Sequence, residues 1–564
     1  MDKIKNLLSL WGPHLLILLW ALMVFIFFQC GYPYHFFYQE QNQLFLWSAD
    51  YLVTYFSKPA WLACMAGDFL TQFYYYLLAG PALLAGVLLV TGETVRCALK
   101  EVGSKRWVST FIALLVMTAE ALFSLHYDYR LGSILALTGG VAVFLLYKIL
   151  LKVLGFFLTH EALKSNTSTV SSTFERLYRA VDSLLVLLST VLSFWFFGYG
   201  LFVFVLLVLA DRILQKDRKQ LFLGIISLAV PLCLLPLTKR WYLLNYADLF
   251  SYPGMGKIVK PEMDLEKVFA VDDEFYFHNY NTLVKMVEED PSPGQYAKFY
   301  YNLVKAQQHQ LPDVLLKFPD NYLGTFENIG PDTPPLTLKS INELYWTLGD
   351  MTFAERAAML GNVCSPDNRN IRMMKRLAEI NLTSGDTAAA RKYLRILQNT
   401  FVWREWATNA MEALSNLHSQ YEGILKTYQE KGNLINKADT LRLTDNARVL
   451  LHELMESNPE NRVALDYLLC SDLLLKDMES FKADYDRFCF RMQNPPYNVK
   501  LYQEALMIYL AGTKATPGEW MKYIHRNDVM ERFKDYNRQR GSALFRDTYW
   551  YYFDKATTPQ PNRK

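Results

Sequence analysis

The sequence encodes an all-α protein in two unlike parts: a polytopic α-helical membrane domain of about seven spans, then an α-solenoid of tetratricopeptide-like helix pairs. Three observations predict it. Apolar runs long enough to cross a bilayer crowd the chain up to about Leu237 and stop there. Beyond that point charged and apolar residues mix at helical spacing, without the alternation of strands. In that second half, small and bulky residues recur at matched offsets. The near-zero mean hydropathy and the net charge of +3 average two unlike halves and describe neither. The expected boundaries are a membrane domain at 1–240, a linker at 241–270 and helical repeats over 271–564.

A bilayer core of ~30 Å needs roughly 20 helical residues. Runs at approximately 11–30, 70–91, 107–125, 131–151 and 221–237 qualify. The first follows Lys3 and Lys5, is too long for a signal-peptide core and lacks small residues at a cleavage point, so it is expected to stay attached. Phe27-Phe28-Gln29 before Cys30 argues against lipid attachment at that thiol. The run from Ala180 to Ala210 is too long for one upright span and a little short for two. At its centre stands Gly198-Tyr199-Gly200, two glycines that relax the backbone for a tight turn, with Trp195 and Tyr199 flanking it as boundary aromatics.

Charge placement selects the hairpin. With a reversal at Gly198 to Gly200, the segments on the N-terminal side hold Lys3, Lys5, Arg96, Lys100, Lys105, Arg106, Lys152, Lys164, Arg176, Arg179, Arg212, Lys216, Arg218 and Lys219. The opposite short loops hold Lys58 and Arg130. Basic residues next to spans favour the cytoplasmic face, so the expected location is a bacterial inner membrane with the N-terminus cytoplasmic and the C-terminal domain periplasmic. One long span would strand Arg212, Lys216, Arg218 and Lys219 outside.

In the second half Ala354, Ala358, Gly361 and Pro366 stand at offsets 0, 4, 7 and 12, after Gly349-Asp350 as an interhelical turn. Ala390, Leu394, Leu397 and Val402 repeat them after Gly385-Asp386, and Ala447, Leu451, Leu454 and Pro459 repeat them again. Phe481, Tyr485 and Phe488 follow, with Lys476-Asp477 as their turn. This resembles tetratricopeptide repeats, in which small residues sit where two helices cross and Pro closes the pair. The wider gap between Ala390 and Ala447 predicts an additional helix pair around Trp403 to Leu417. Four segments carry a resemblance over nearly the whole chain: YHFFYQEQNQLFLWSADYL at 34–52, FLTQFYYY at 69–76, NLVKAQQHQLPDVLLKFP at 302–319 and SGDTAAARKYLRIL at 384–397. They look like those of an uncharacterised family of multi-spanning bacterial membrane proteins with an exported helical-repeat tail. That resemblance implies the architecture and no activity.

Residues 31–69 form the one substantial exported loop, with a pattern of amphipathic helices that sets Leu44, Phe45, Trp47, Tyr51 and Leu52 against lipid or other spans. The weak catalytic candidates are Glu40 and Asp50 in this loop and Glu120 inside the third span. Membrane glycosyltransferases that use lipid-linked sugars place acids in their first exported loop, where one deprotonates an acceptor hydroxyl. Those enzymes usually show paired or closely spaced acids, whereas Glu40 and Asp50 stand ten positions apart, and surface acids on helices are the commoner meaning of such a pattern. Glu120 is costly at membrane depth unless it takes a partner, for which Arg130, His126 and Tyr127 are at hand. Glu93 and Asp211 lie at span ends, where interfacial acids are ordinary.

Other chemistries lack their signatures. Gly254-Met255-Gly256-Lys257 has neither the spacing of a phosphate loop nor a Ser or Thr after Lys257. His309, His418 and His452 have no metal-ligand spacing, the seven cysteines form no framework and read as free buried thiols, and no cofactor or metal is expected. Balanced charge in the tail argues against nucleic acid. The expected function is a membrane-anchored periplasmic scaffold or interaction protein, with a lipid-linked glycosyltransferase-like envelope enzyme as the alternative; the expected partners are membrane lipid, a protein or peptide held on the helical-repeat domain and, for the enzyme, a lipid-linked sugar. Tyr345, Trp346, Trp403 and Trp406 are the large aromatics there, and in helical repeats such rings are more often packed between helices than displayed.

Overall fold

The computed structural model describes residues 2–164, 168–215, 218–242, 244–318, 321, 323, 330, 332–365, 368–416, 420–433, 435 and 446–557. Lys216, Pro366, Leu417 and His418 lie outside the described residues. Every described element is an α- or 3-10 helix, and the chain divides into two compact units. The first is Met1–Glu266 with Asn399–Val402, and the second is Lys267–Gln398 with Trp403–Lys564.

In the first unit the helices are α1 (Asp2–Gly31), α2 (Tyr34–Gln41), α3 (Ala49–Val53), α4 (Trp61–Thr71), α5 (Ala79–Glu101), α6 (Arg106–Phe123), α7 (Leu131–Lys164), α8 (Ser168–Phe197), α9 (Gly200–Gln215), α10 (Arg218–Leu234), α11 (Lys239–Tyr242) and α12 (Tyr246–Ser251). Among the described residues six stretches are long and apolar enough to cross a membrane: Trp11–Gly31, Ala79–Glu101, Arg106–Phe123, Leu131–Phe157, Arg176–Phe197 and Lys219–Tyr242. At 16 residues, α9 is shorter than these. Leu15, Leu18, Leu22, Phe111, Phe156 and Phe222 keep about half or more of their surface open, an outward apolar surface of the kind that suits lipid.

The second stretch begins at Ala79, not near Leu70 as its hydropathy implies. Residues 70–78 are used up by the end of α4 and a 3-10 turn at Gln72–Tyr75, and Pro81 fits the first turn of α5, where its missing N–H costs nothing. Nor does the 31–69 loop simply lie on a surface. Phe36, Phe37, Tyr38, Leu44, Phe45 and Tyr51 are buried while Trp47 is 48% exposed, and Gly67 of α4 approaches Gly132 of α7 so closely that a Cβ would stand 2.5 Å from its backbone nitrogen.

The chain doubles back between α8 and α9. Arg212 Nη2 donates to Asp182 at 2.6 Å, and residues on either side of Phe197 and Gly200 meet this way only when the two helices run antiparallel. The two glycines do different work. Gly198 takes φ +53° at the turn, whereas Gly200 is needed for packing: a Cβ there would stand 2.1 Å from the Ala136 carbonyl oxygen of α7. Tyr199 is buried and donates to the Ser133 carbonyl at 2.6 Å, so it serves this packing and not a headgroup boundary.

The second unit continues through α13 (Met263–Tyr276), whose first turn holds the boundary, α14 (Tyr280–Glu289), α15 (Gln295–Gln307), α16 (Leu311–Val314), α17 (Pro335–Leu348), α18 (Met351–Val363), α19 (Ile371–Ser384), α20 (Thr387–Leu397), α21 (Arg404–Ser415), α22 (Glu422–Gly432), α23 (Ala447–Ser457), α24 (Arg462–Leu474), α25 (Met478–Phe488), α26 (Lys500–Gly512), α27 (Pro517–Tyr523), α28 (Asn527–Arg538) and α29 (Tyr549–Lys555). Sequence dictates the turns. Gly349, Gly385 and Lys476 adopt positive φ, and the aspartate after each accepts the N–H of Phe353, Ala389 and Ser480, respectively, capping the next helix. Ala354, Ala358 and Gly361, then Ala390, Leu394 and Leu397, then Leu451 and Leu454, then Phe481, Tyr485 and Phe488 are all buried, whereas Ala447, Val402 and Pro459 are only half-buried and Val402 belongs to the first unit, so the matched offsets mark inward faces at their central positions and not at every one. The wide gap holds α21 and α22. All seven thiols are free, but only Cys470 and Cys489 are fully buried.

Candidate functional site

Within the second unit, α19 carries Arg372, Lys375, Arg376 and Glu379 at offsets 0, 3, 4 and 7, one stripe of a helix. Such a stripe normally faces water, yet Arg372, Arg376 and Glu379 are buried. Their charges are matched from neighbouring helices. Glu343 of α17 accepts from Arg376 Nη2 at 2.7 and 2.8 Å and from Arg372 Nη2 at 3.0 Å. Arg372 Nη1 also donates to Asp272 of α13 at 2.7 Å, a carboxylate that the Tyr300 hydroxyl supports with a second hydrogen bond. Glu379 takes Lys375 Nζ at 3.1 Å, Arg376 Nη1 at 3.3 Å and the Tyr428 hydroxyl at 3.3 Å.

Burial alone would raise the Glu343 carboxyl, but Arg376 and Arg372 outweigh it and hold the group below the usual carboxylate range. Burial is likewise overcome at Glu379 by Lys375 and Arg376. Both acids are therefore anions, and the network is a built ionic layer with its charges satisfied by bidentate geometry.

One cation of this wall lies outside the matching. Lys431, in the last turn of α22, makes no hydrogen bond or ion pair with the described residues. Its Nζ instead sits 4.5 Å from the ring centroid of Trp346, whose ring also has the Arg376 guanidinium at 4.4 Å. Burial, and then repulsion from Arg376, push the Lys431 ammonium down to about 8 despite the pull of Glu343 and Glu379. Gly432 follows because α22 ends against α19, where a Cβ would stand 3.0 Å from the Thr383 carbonyl oxygen.

These groups line one cavity of about 450 Å³. Its charged wall is Glu343, Arg372, Lys375, Arg376, Glu379 and Lys431, and its aromatic wall includes Tyr276, Tyr280, Trp346 and Tyr428. Gln307 and Thr347 add a polar corner, tied by a relay in which the Tyr280 hydroxyl donates to Gln307 at 2.9 Å and Gln307 Nε2 donates to Thr347 at 3.2 Å. The volume and the mixture of rings with a few fixed polar groups are those of a small-ligand site, where about 300–1,000 Å³ is usual.

The acids singled out from sequence stand elsewhere. Glu40 is buried on α2, while Asp50 is exposed in the first turn of α3. Glu120 is buried in α6 and accepts the Tyr129 hydroxyl at 2.6 Å, a polar neighbour two residues beyond Tyr127. Asp211 is no ordinary interfacial acid: it is buried and takes Lys148 Nζ at 2.9 Å. Among the aromatics, Tyr345 belongs to the core, but Trp346 faces the cavity, and the ring centroids of Trp403 and Trp406 stand 4.1 and 5.6 Å from Lys375 Nζ. Among the described residues no three His, Cys, Asp or Glu side chains group as metal ligands. The segment at Gly254–Lys257 lies outside any helix, with Gly256 pressed on Phe123.

Residues 9–556 match the model of a family of unknown function, DUF6057. No curated protein and no solved structure matches the chain.

Proposed function

The chain belongs to that family, and we propose that it is a membrane-anchored capture protein of the bacterial cell envelope. In this reading the first unit crosses the inner membrane about seven times, α9 being the short seventh span, with the N-terminus cytoplasmic. The second unit is a tetratricopeptide-like solenoid on the periplasmic side, and it holds a partner in the cavity between α17, α19 and α22. The antiparallel pairing of α8 and α9 supports an odd number of crossings, and the basic residues flanking the spans support the orientation. Stacked helix pairs supply inner surfaces suited to capture.

The observation that carries the reading is the Lys431 ammonium against Trp346, without a counter-ion among the described residues, in a cavity whose other charges are paired within the protein. An aromatic platform with one cation left over is a binding feature with no evident structural use. The test is in-cell photo-crosslinking from the full-length chain. A photoreactive phenylalanine analogue at Thr427, which lines the cavity, is expected to give an adduct of fixed mass. The same analogue at Met521, which is 80% exposed on α27, is expected to give none. Equal labelling from both positions, or none from Thr427, overturns the proposal.

A further inference from the structure

We propose that this cavity recognises a single carboxylate: Lys431 takes the anionic group of a small ligand whose body lies against the cavity's aromatic wall. The inference deepens the capture reading and rests on it for its biological use, while its chemistry stands on the cavity itself.

Charge balance limits the ligand first. Four cations line the cavity, Arg372, Lys375, Arg376 and Lys431. Glu343 and Glu379 line it too, and Asp272 behind Arg372 brings the carboxylates to three, so among the described residues one positive charge is left in excess. The pairings show which cation is the surplus one. Arg372, Lys375 and Arg376 each have a carboxylate within 3.1 Å, whereas Lys431 Nζ rests against a ring face. A partly buried ammonium without a counter-ion is unfavourable unless a ligand supplies one. Arg376 adds a second unmet donor, since its buried Nε has no acceptor among the described residues.

The sign and size of the ligand charge follow. A monoanion cancels the excess. A phosphate dianion would overfill it and would meet Glu343 and Glu379, two anions fixed in the same wall, at a range where like charges repel strongly in a partly dry cavity. The rest of the ligand is set by the rings and the Gln307–Thr347 corner, which ask for a compact body with a flat or apolar face and a few hydroxyl or amide groups. Two sources present a carboxylate on such a body: the free C-terminus of a short peptide and a uronic acid residue of a glycan.

The experiment uses the purified full-length chain in detergent and reads calorimetric titrations. The probes are acetyl-Ala-Ala with a free C-terminus and its C-terminal amide, D-glucuronate and D-glucose, and inorganic phosphate. At least one carboxylate is expected to bind saturably and at least about tenfold more tightly than its neutral twin. Which pair shows the difference names the source. Lys431→Met is expected to weaken that binding at least about tenfold, while Lys431→Arg, which keeps the charge, retains most of it. Trp346→Leu removes the ring on which Lys431 rests and is expected to weaken the carboxylate more than its neutral twin. The inference is overturned if neither carboxylate binds the folded chain, if binding survives Lys431→Met unchanged, or if phosphate binds at least as tightly as the better carboxylate. If the carboxylates fail while the Thr427 adduct forms, only this inference falls. If a carboxylate binds while Thr427 gives no adduct in cells, the capture reading falls instead.

Discussion

Replacing Lys431 by Met is expected to stabilise the protein, an unusual outcome for a change in a cavity wall. The ammonium is pushed from its ordinary 10.5 to about 8, chiefly by burial and then by Arg376. At about 1.4 kcal/mol per pKa unit this difference corresponds to about 3 kcal/mol against the charged form. Lys431 keeps some contact with water, which returns part of that cost, and about 1–2 kcal/mol is the gain expected at pH 7. For a unit of this size that is a rise in Tm of roughly 2–8 °C. The sign with pH is fixed by linkage. Between pH 8 and 10.5 the unfolded chain holds the lysine proton that the folded chain has lost. Wild-type stability therefore gains on the variant as pH rises through that window, and the difference closes above it. The assay is thermal unfolding of the full-length chain and of Lys431→Met in detergent, followed by tryptophan fluorescence from pH 7 to 10.5, with hydrogen exchange locating the change at α22. A variant that is less stable at pH 7, or a gap that stays constant with pH, would show that Lys431 holds the fold and would remove the basis for a ligand there.

Glu343→Gln should have the opposite effect: it leaves Arg372 and Arg376 short of a counter-ion and is expected to cost about 3–5 kcal/mol, read by the same unfolding measurement. Because the arginines hold Glu343 below its ordinary range, its stabilising contribution is complete above pH 4.5 and is lost as pH falls through its folded value, so acid unfolding should shift toward neutral pH in Arg376→Met. In the first unit Gly200→Leu would force a Cβ within 2.1 Å of the Ala136 carbonyl oxygen, and a loss of about 1–3 kcal/mol or more should appear as a lower Tm and a broadened elution profile. Glu120→Ala removes the carboxylate that accepts the buried Tyr129 hydroxyl, leaving it the Tyr199 hydroxyl alone, and should cost about 1 kcal/mol, whereas Asp50→Ala, at an exposed position, should change stability by less than about 0.5 kcal/mol.

Where one physical rule dominates a segment, the sequence is legible. Hydropathy finds the apolar stretches because lipid demands length, and the glycine-containing run reads as a reversal because neither one span nor two fits its length without a break. The Gly-Asp and Lys-Asp turns are legible because positive φ followed by a side-chain cap is a local device. Tertiary packing hides the rest. The start of α5 is obscured because Leu70, Phe73, Leu77 and Leu78 carry the apolar pattern back across the 3-10 turn, and the 31–69 helices look like surface helices because their burial depends on α5, α7 and α8. The cavity is hidden for a sharper reason. Arg372, Lys375, Arg376 and Glu379 form a stripe that reads as a solvated face, and nothing local reveals that Glu343 and Asp272, far away in sequence, turn it inward. The signal available is the density of Trp and Tyr near these charges: Trp346, Trp403 and Trp406 stand out in the sequence, but the cations that meet them do not.

Capture in the envelope requires that the second unit be displayed outside the cytoplasm. With the native cysteines replaced, a single cysteine at Met521, 80% exposed, and another at Lys105, between α5 and α6, report on opposite sides. A membrane-impermeant maleimide added to intact spheroplasts is predicted to label the Met521 position at once and the Lys105 position only after lysis. Labelling at Lys105 in intact spheroplasts, with Met521 protected until they are broken, would contradict it.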